Sequence, residues 1–179
     1  MDSNTGAPPK AVLYIATALA VALAAAVAVF ALTKGTATDS SAGQGPLALV
    51  SVPAPQAGSP DCATLMGAVP AELVSAGKKL TPRTLADPAP PSTIAWGDTD
   101  PIVLRCGLER PPELTPTATL RQINGVQWLQ VPGEGSATWY VVDRGVYSAL
   151  TVPDSAGTGP LQDISGTIAA KLPARPLKF

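Results

Sequence analysis

The sequence predicts an α+β fold: an N-terminal transmembrane helix followed by one compact domain, with a mostly antiparallel sheet of five or six strands and two helices packed on one face. Three observations predict it. Residues 11–33 form an uncharged, almost wholly apolar run bracketed by Lys10 and Lys34. Further on, short strand-like segments are separated by turn formers, most clearly around Asn124-Gly125. Residues 60–77 and 160–172 carry apolar side chains three and four positions apart, the period of a helix with one buried face.

As a helix, residues 11–33 reach about 34 Å, enough to cross a hydrocarbon core of about 30 Å. Only Tyr14, Thr17 and Thr33 carry polar side-chain atoms, so the run is apolar all round, unlike an amphipathic core helix. It also outruns the apolar region of a cleavable signal peptide, roughly 7 to 15 residues. Ala26-Val27-Ala28 would suit cleavage, so a retained anchor is preferred and a cleaved signal is the alternative. The chain then divides into a cytoplasmic tail (1–10), a transmembrane anchor (11–33), a flexible linker (34–46) and an extracytoplasmic domain (47–179). Lys10 and Lys34 give almost no charge asymmetry across the anchor, so orientation rests on the two cysteines. In an oxidising compartment Cys62 and Cys106 are most simply a disulfide. They lack the Cys-x-x-Cys spacing of a redox pair. Buried free thiols, which would imply a cytoplasmic domain, are the third reading.

The domain reads in order as follows. Residues 47–52 are the expected first strand, at a sheet edge because Pro53 and Pro55 follow. Ser59 and Pro60 suit the N-cap and first position of a helix, with Leu65, Met66, Val69, Leu73 and Val74 as its apolar stripe. Pro70 should break that helix near Ala68 or Val69, leaving two short pieces. Residues 78–92, with Lys78, Lys79, Arg83 and several prolines, read as a solvated loop. Thr93–Trp96 and 102–106 are two strands joined by a turn. A proline-rich loop (110–116) precedes the hairpin of 120–123 and 126–131. A second hairpin, 138–142 and 146–152, flanks Asp143-Arg144-Gly145; in its last strand Tyr147, Ala149 and Thr151 oppose Val146, Ser148, Leu150 and Val152. Leu161, Ile164, Ile168 and Leu172 share one face of the closing helix, which Pro173 stops.

Composition narrows the chemistry. Lys and Arg number 12 against 13 Asp and Glu, which leaves no basic field for nucleic acid. Histidine is absent, removing the usual general base, the Ser-His and Cys-His pairs, and the commonest transition-metal ligand. No catalytic residue, metal or cofactor is therefore expected. Asp98 and Asp100 could offer alternate oxygens to a calcium ion, but the further ligands of an EF-hand are missing, so they read as turn formers. A Ser-Lys mechanism would need a desolvated lysine, and Lys78, Lys79, Lys171 and Lys178 all read as exposed. The candidate binding residues are Arg105, Trp96, Asp98, Asp143 and Arg144. Arg105, next to Cys106, could present a fork to a carboxylate or phosphate, or could pair with Asp98 or Asp100. Trp96, Trp128, Trp139 and Tyr140 could form an exposed patch or pack beneath the long loops.

The chain carries Ser59-Pro60-Asp61-Cys62, Ala95-Trp96-Gly97-Asp98, Val103-Leu104-Arg105-Cys106-Gly107, Asn124-Gly125-Val126, Val142-Asp143-Arg144-Gly145-Val146-Tyr147 and Leu172-Pro173-Ala174-Arg175-Pro176. Together these motifs resemble an actinobacterial, mycobacterial-type family of membrane-anchored extracytoplasmic domains of unknown function. The resemblance spans about residues 50–176 and implies a cell-envelope location, with both cysteines as a family feature. It implies no activity and no catalytic residue. The preferred expectation is a membrane-tethered envelope protein with a non-enzymatic binding or accessory domain. Its partners would be the membrane, through the N-terminal helix, and an envelope protein or cell-wall component. The alternative is a small-ligand receptor or enzyme using carboxylate and arginine residues. That alternative needs a cleft where Arg105 or Arg144 meets Asp98, Asp100 or Asp143.

Overall fold

The computed structural model describes residues 45–179. The expected tail and anchor, and all of the expected linker except Gly45 and Pro46, lie outside the described residues. No helix among the described residues is long and apolar enough to cross a membrane.

The elements run α1 (Pro60–Ala68), β1 (Leu73–Ser75), β2 (Lys78–Leu80), β3 (Pro82–Arg83), β4 (Thr93–Trp96), β5 (Ile102–Leu108), β6 (Leu120–Ile123), β7 (Val126–Pro132), β8 (Ser136–Val141), β9 (Tyr147–Pro153) and α2 (Gly159–Lys171). Seven strands make one sheet in the order β3-β4-β5-β9-β8-β7-β6, and β1 and β2 form a separate hairpin. Every strand pair is antiparallel. The α+β class is as the sequence indicates, while the strand number exceeds the expected five or six.

Alternation along the strands sorts the sheet into two faces. On one, Trp96, Ile102, Leu104, Cys106, Trp128, Val141 and Leu150 form a single core with Cys62 and Leu65 of α1 and Leu161, Ile164 and Ile168 of α2. Both helices therefore cover the same face. The two buried indoles keep their N–H groups satisfied, Trp128 Nε1 donating to Ser165 Oγ at 2.9 Å and Trp96 Nε1 to the Pro70 carbonyl at 3.2 Å. On the other face Leu129 packs with Leu114 and Val142, joined by Leu120, Val131, Tyr140, Tyr147 and Leu177. The covering there comes from the proline-rich loop and the C-terminal tail, not from a helix. A disulfide joins Cys62 to Cys106, with the Cα atoms 5.6 Å apart, and so ties α1 to the sheet's third strand, β5.

Local signals explain where elements start and stop. Ser59 accepts a hydrogen bond from the Cys62 N–H and caps α1, with Pro60 next in line. The helix ends at Ala68 because Val69, preceding Pro70, is pushed into extended backbone. The second helical piece does not form. Leu73 and Ser75 are buried while Val74 is exposed, a period of two, and the strand turns back through Ala76 and Gly77 at φ 47° and 78°. Residues 78–92, read as a loop, thus contain β2 and β3. The expected strand at 47–52 is also absent. A single parallel bridge joins Leu47 to Leu85, after which Pro53 and Pro55 offer no ladder donors and Val50 points to solvent at 81% exposure. The β6–β7 hairpin turns through Asn124 and Gly125 with positive φ, as that dipeptide favours.

Candidate functional site

The most distinctive polar feature lies on the helix-free face. In β5 the alternation that buries Leu104 and Cys106 against the helices turns Arg105 the other way. Strand register then lines Arg105 up with Thr93 on one side and with Ala149 and Tyr140 on the other. Thr151 and Thr138 form the adjacent row, their hydroxyls 3.2 Å apart. The small Ala149 side chain leaves a hollow between the arginine and the phenol.

Two proline-bearing segments wall this hollow. One, containing Val52 and Pro53, crosses from the Leu47 bridge to a hydrogen bond between the Gln56 N–H and the Gly107 carbonyl at 3.0 Å. Gly107 sits at an irregularity in the β5–β9 register with φ 84°, and a Cβ there would collide with the backbone of Gln56 and Ala57. Glycine is needed at this approach for both reasons. The opposite wall is residues 108–112, which leave the end of β5. The result is a cleft of about 310 Å³.

Arg105 is poorly compensated within it. Its Nη2 donates to the Val50 carbonyl at 3.2 Å, and its buried Nε has no hydrogen-bond partner. Ion pairs among the described residues join Lys79 to Glu72 and Arg144 to Asp143, so Arg105 has no carboxylate partner there. Burial pulls its pKa down, with Tyr140 acting in the opposite sense. For Tyr140, burial and then the Glu113 charge push the phenol's pKa up, against an opposing pull from Arg105. The arrangement is a half-desolvated cation facing a protonated phenol and threonine hydroxyls. It can bind an anion, and the Glu109 carboxylate also lines the cleft.

A family model described as "Protein of unknown function (DUF3515)" matches residues 17–177. The chain belongs to this family. Neither the curated proteins nor the solved structures gave a match.

The other candidate residues of this DUF3515 chain sit elsewhere. Asp98 and Asp100 line a separate groove of about 460 Å³ with Lys78, Lys79 and Ser155. That groove shares no lining residue with the Arg105 cleft. The Asp98 carbonyl accepts from Arg83 Nη1, and Asp100 Oδ2 accepts from Ser155 Oγ at 3.1 Å. Neither carboxylate serves Arg105. Asp143 and Arg144 form a buried ion pair at 2.8 Å. Arg144 also donates to the carbonyls of Asp143 and Gly125, at 2.9 and 3.1 Å, and the Asp143 carbonyl accepts from the Arg175 N–H at 2.9 Å. These bonds join the β8–β9 turn to the β6–β7 turn and to the C-terminal tail. Trp96 and Trp128 are fully buried, and Trp139 and Tyr140 lie on opposite faces of the sheet, so the four aromatics form no common patch. Among the described residues no group of Cys, Asp and Glu is placed to hold a metal ion.

Sequence reasoning picked out Arg105, and Tyr140 as one of four aromatics for a surface patch, but not their place side by side. The alternation of Tyr147, Ala149 and Thr151 in β9 placed them on one face. What it could not supply was the cross-strand register that sets Ala149 and Tyr140 beside the arginine.

Proposed function

We propose that this chain is a membrane-tethered cell-envelope protein whose extracytoplasmic domain binds a ligand or partner and does not catalyse a reaction. The helix-free face of its sheet is the binding surface. The apolar run at 11–33 supports the tether, the Cys62–Cys106 disulfide supports an oxidising compartment, and the motif resemblance supports an actinobacterial envelope. The observation that carries the binding reading is Arg105: a partly desolvated cation at the floor of a cleft, with no carboxylate partner among the described residues. An enzyme built on arginine and carboxylate would bring Arg105 or Arg144 together with Asp98, Asp100 or Asp143 at one opening. Here Arg105 and the two loop aspartates lie in separate clefts, and Arg144 and Asp143 are buried against each other. Binding is the reading this geometry supports best.

The test places a photoreactive phenylalanine analogue at Val52, on the cleft wall, or at Lys171, at the exposed end of α2, in full-length protein in its own membranes. Irradiation should give a defined adduct from position 52 and none from 171, and the domain should be digested by protease added to the outer side only. No adduct at 52 above background, or a domain protected from outside protease, would overturn the proposal.

A further inference from the structure

The geometry points to a specific ligand class for the Arg105 cleft: a single carboxylate carried on a compact apolar group. This rests on the reading of the domain as a binding module and adds what the module recognises.

The charge comes first. A buried N–H without a partner costs free energy, and Arg105 Nε is such a group. Its neighbour Nη2 is satisfied only by a neutral acceptor, the Val50 carbonyl, on a segment whose Val50 side chain is itself 81% exposed. That segment has little packing to hold it in place against a charged competitor. A guanidinium offers parallel N–H groups that match the two oxygens of a carboxylate, and such charge-assisted bonds are roughly twice as strong as neutral ones. An incoming carboxylate replaces the neutral Val50 carbonyl on Nη2 with a charged acceptor.

The lining then selects among anions. It holds two arginines, Arg105 and Arg110, against Glu109, leaving a single positive charge. Arg110 is already engaged with the Leu114 carbonyl at 2.7 Å. A phosphate dianion would be left half-compensated, whereas a monocarboxylate is matched. Tyr140, Thr138 and Thr151 supply neutral hydroxyls that can donate to an oxygen without adding charge. Apart from these groups the walls and floor are apolar, from Val52, Pro53, Leu108, Pro111 and Ala149, so the part of the ligand next to the carboxylate is apolar too. At about 310 Å³ the cleft is at the small end of ligand sites and holds the equivalent of roughly ten waters. That suits either a free short-chain acid or the C-terminal residue of a peptide. The two sources share one chemistry.

The full-length protein in detergent is titrated calorimetrically with 4-methylpentanoate, with its neutral amide, with N-acetyl-Ala-Leu bearing a free C-terminus, with that dipeptide's C-terminal amide, and with inorganic phosphate. At least one of the two carboxylates should bind about 10-fold or more tightly than its own amide and than phosphate, as expected for losing a charge-assisted pair of bonds. Preference for the free acid names a small metabolite, and preference for the dipeptide names a chain end. Arg105→Gln should weaken binding by about 10-fold or more. Pro112→Trp fills the cleft from an exposed position on its other wall, away from the photoprobe site, and should abolish binding even if Arg105→Gln fails to fold. Acid and amide binding equally, phosphate binding best, no probe binding, or a folded Pro112→Trp that binds normally would each overturn the inference. Failure here together with a Val52 photo-adduct leaves the binding function standing with a different ligand. Failure of both removes the site.

Discussion

At Gly107 two requirements meet that no other residue type satisfies together: a positive φ of 84°, and a backbone approach from Gln56 and Ala57 that leaves no room for a Cβ. Left-handed backbone costs an L-residue about 1–2 kcal/mol, and forcing atoms into a packed contact about 1–3 kcal/mol more. Gly107→Ala should therefore destabilise the domain by about 3 kcal/mol in chemical denaturation, whereas Gly166→Ala on the exposed side of α2, where a Cβ meets nothing, should stabilise it by up to about 1 kcal/mol. The glycine is visible in the sequence, but its reason is not, because the segment that crosses it comes from some fifty positions away. Arg105 has the same history. Its place beside Cys106 marked it, yet the expected partners were the nearby Asp98 and Asp100, and the actual acceptor is the Val50 carbonyl at a sequence separation of 55. Asp143 and Arg144 also look, in sequence, like an exposed polar turn. Their burial depends on Gly125 and Arg175 closing around them, and nothing within a few residues of either announces it.

At the scale of elements, local chemistry was legible wherever it was strong. Ser59-Pro60 started a helix, Asn124-Gly125 closed a hairpin and Pro173 followed the last helix. It misled where one residue set fits two periods. Leu73 and Val74 extend the helical stripe of Leu65 and Val69, but Pro70 forces extended backbone just before them, and from there the period of two takes over. The run at 47–52 failed differently: strand-like in composition, it finds a pairing neighbour only at Leu47 and otherwise becomes one wall of the cleft. The Cys62–Cys106 bond joins α1 to β5. With 44 positions between its ends, the chain-entropy model assigns it about 4 kcal/mol. Cys62 and Cys106 are fully buried and Cys106 Sγ accepts from the buried Ser148 hydroxyl at 3.3 Å, so a double Cys→Ala variant should lose that amount plus about 2–3 kcal/mol for the missing sulfur packing and the hydroxyl left without its partner. Reducing the native bond without replacing the residues should approach the entropic part alone. Comparing denaturation midpoints of the reduced protein and the double variant separates the two contributions, and equal stability of the oxidised and reduced protein would deny the bond any part in the fold.

Over the whole molecule, the sheet is covered unequally, and that inequality decides where charge can sit. The helix face is one apolar core in which the buried Ser165 hydroxyl accepts from Trp128 Nε1. The other face is divided between a small apolar cluster under the proline-rich loop and the cleft that holds Arg105 and Tyr140. Tyr140 belongs to both, packing on the cluster with its ring while lining the cleft, so its titration reports whether that face stays closed in the folded protein. Burial, then the Glu113 charge, raise its pKa above the ordinary 10.0, and Arg105 opposes them. The folded state thus keeps this proton to higher pH than the unfolded chain does. Above the unfolded value the unfolded state gains by ionising first, so the stability present below pH 10.0 declines as pH rises through the folded pKa. Tyr140→Phe removes the titrating group and should flatten that part of the alkaline decline. The measurement is denaturation midpoint against pH from about 8 to 11 for the two proteins. A carboxylate bound on Arg105 would add a second negative charge near the phenol and steepen the native decline, because the phenolate would then form beside it. If Tyr140→Phe follows the native curve throughout, the phenol is as solvated in the folded state as in the unfolded one, and the loop-covered face is open where the cleft requires it to be closed.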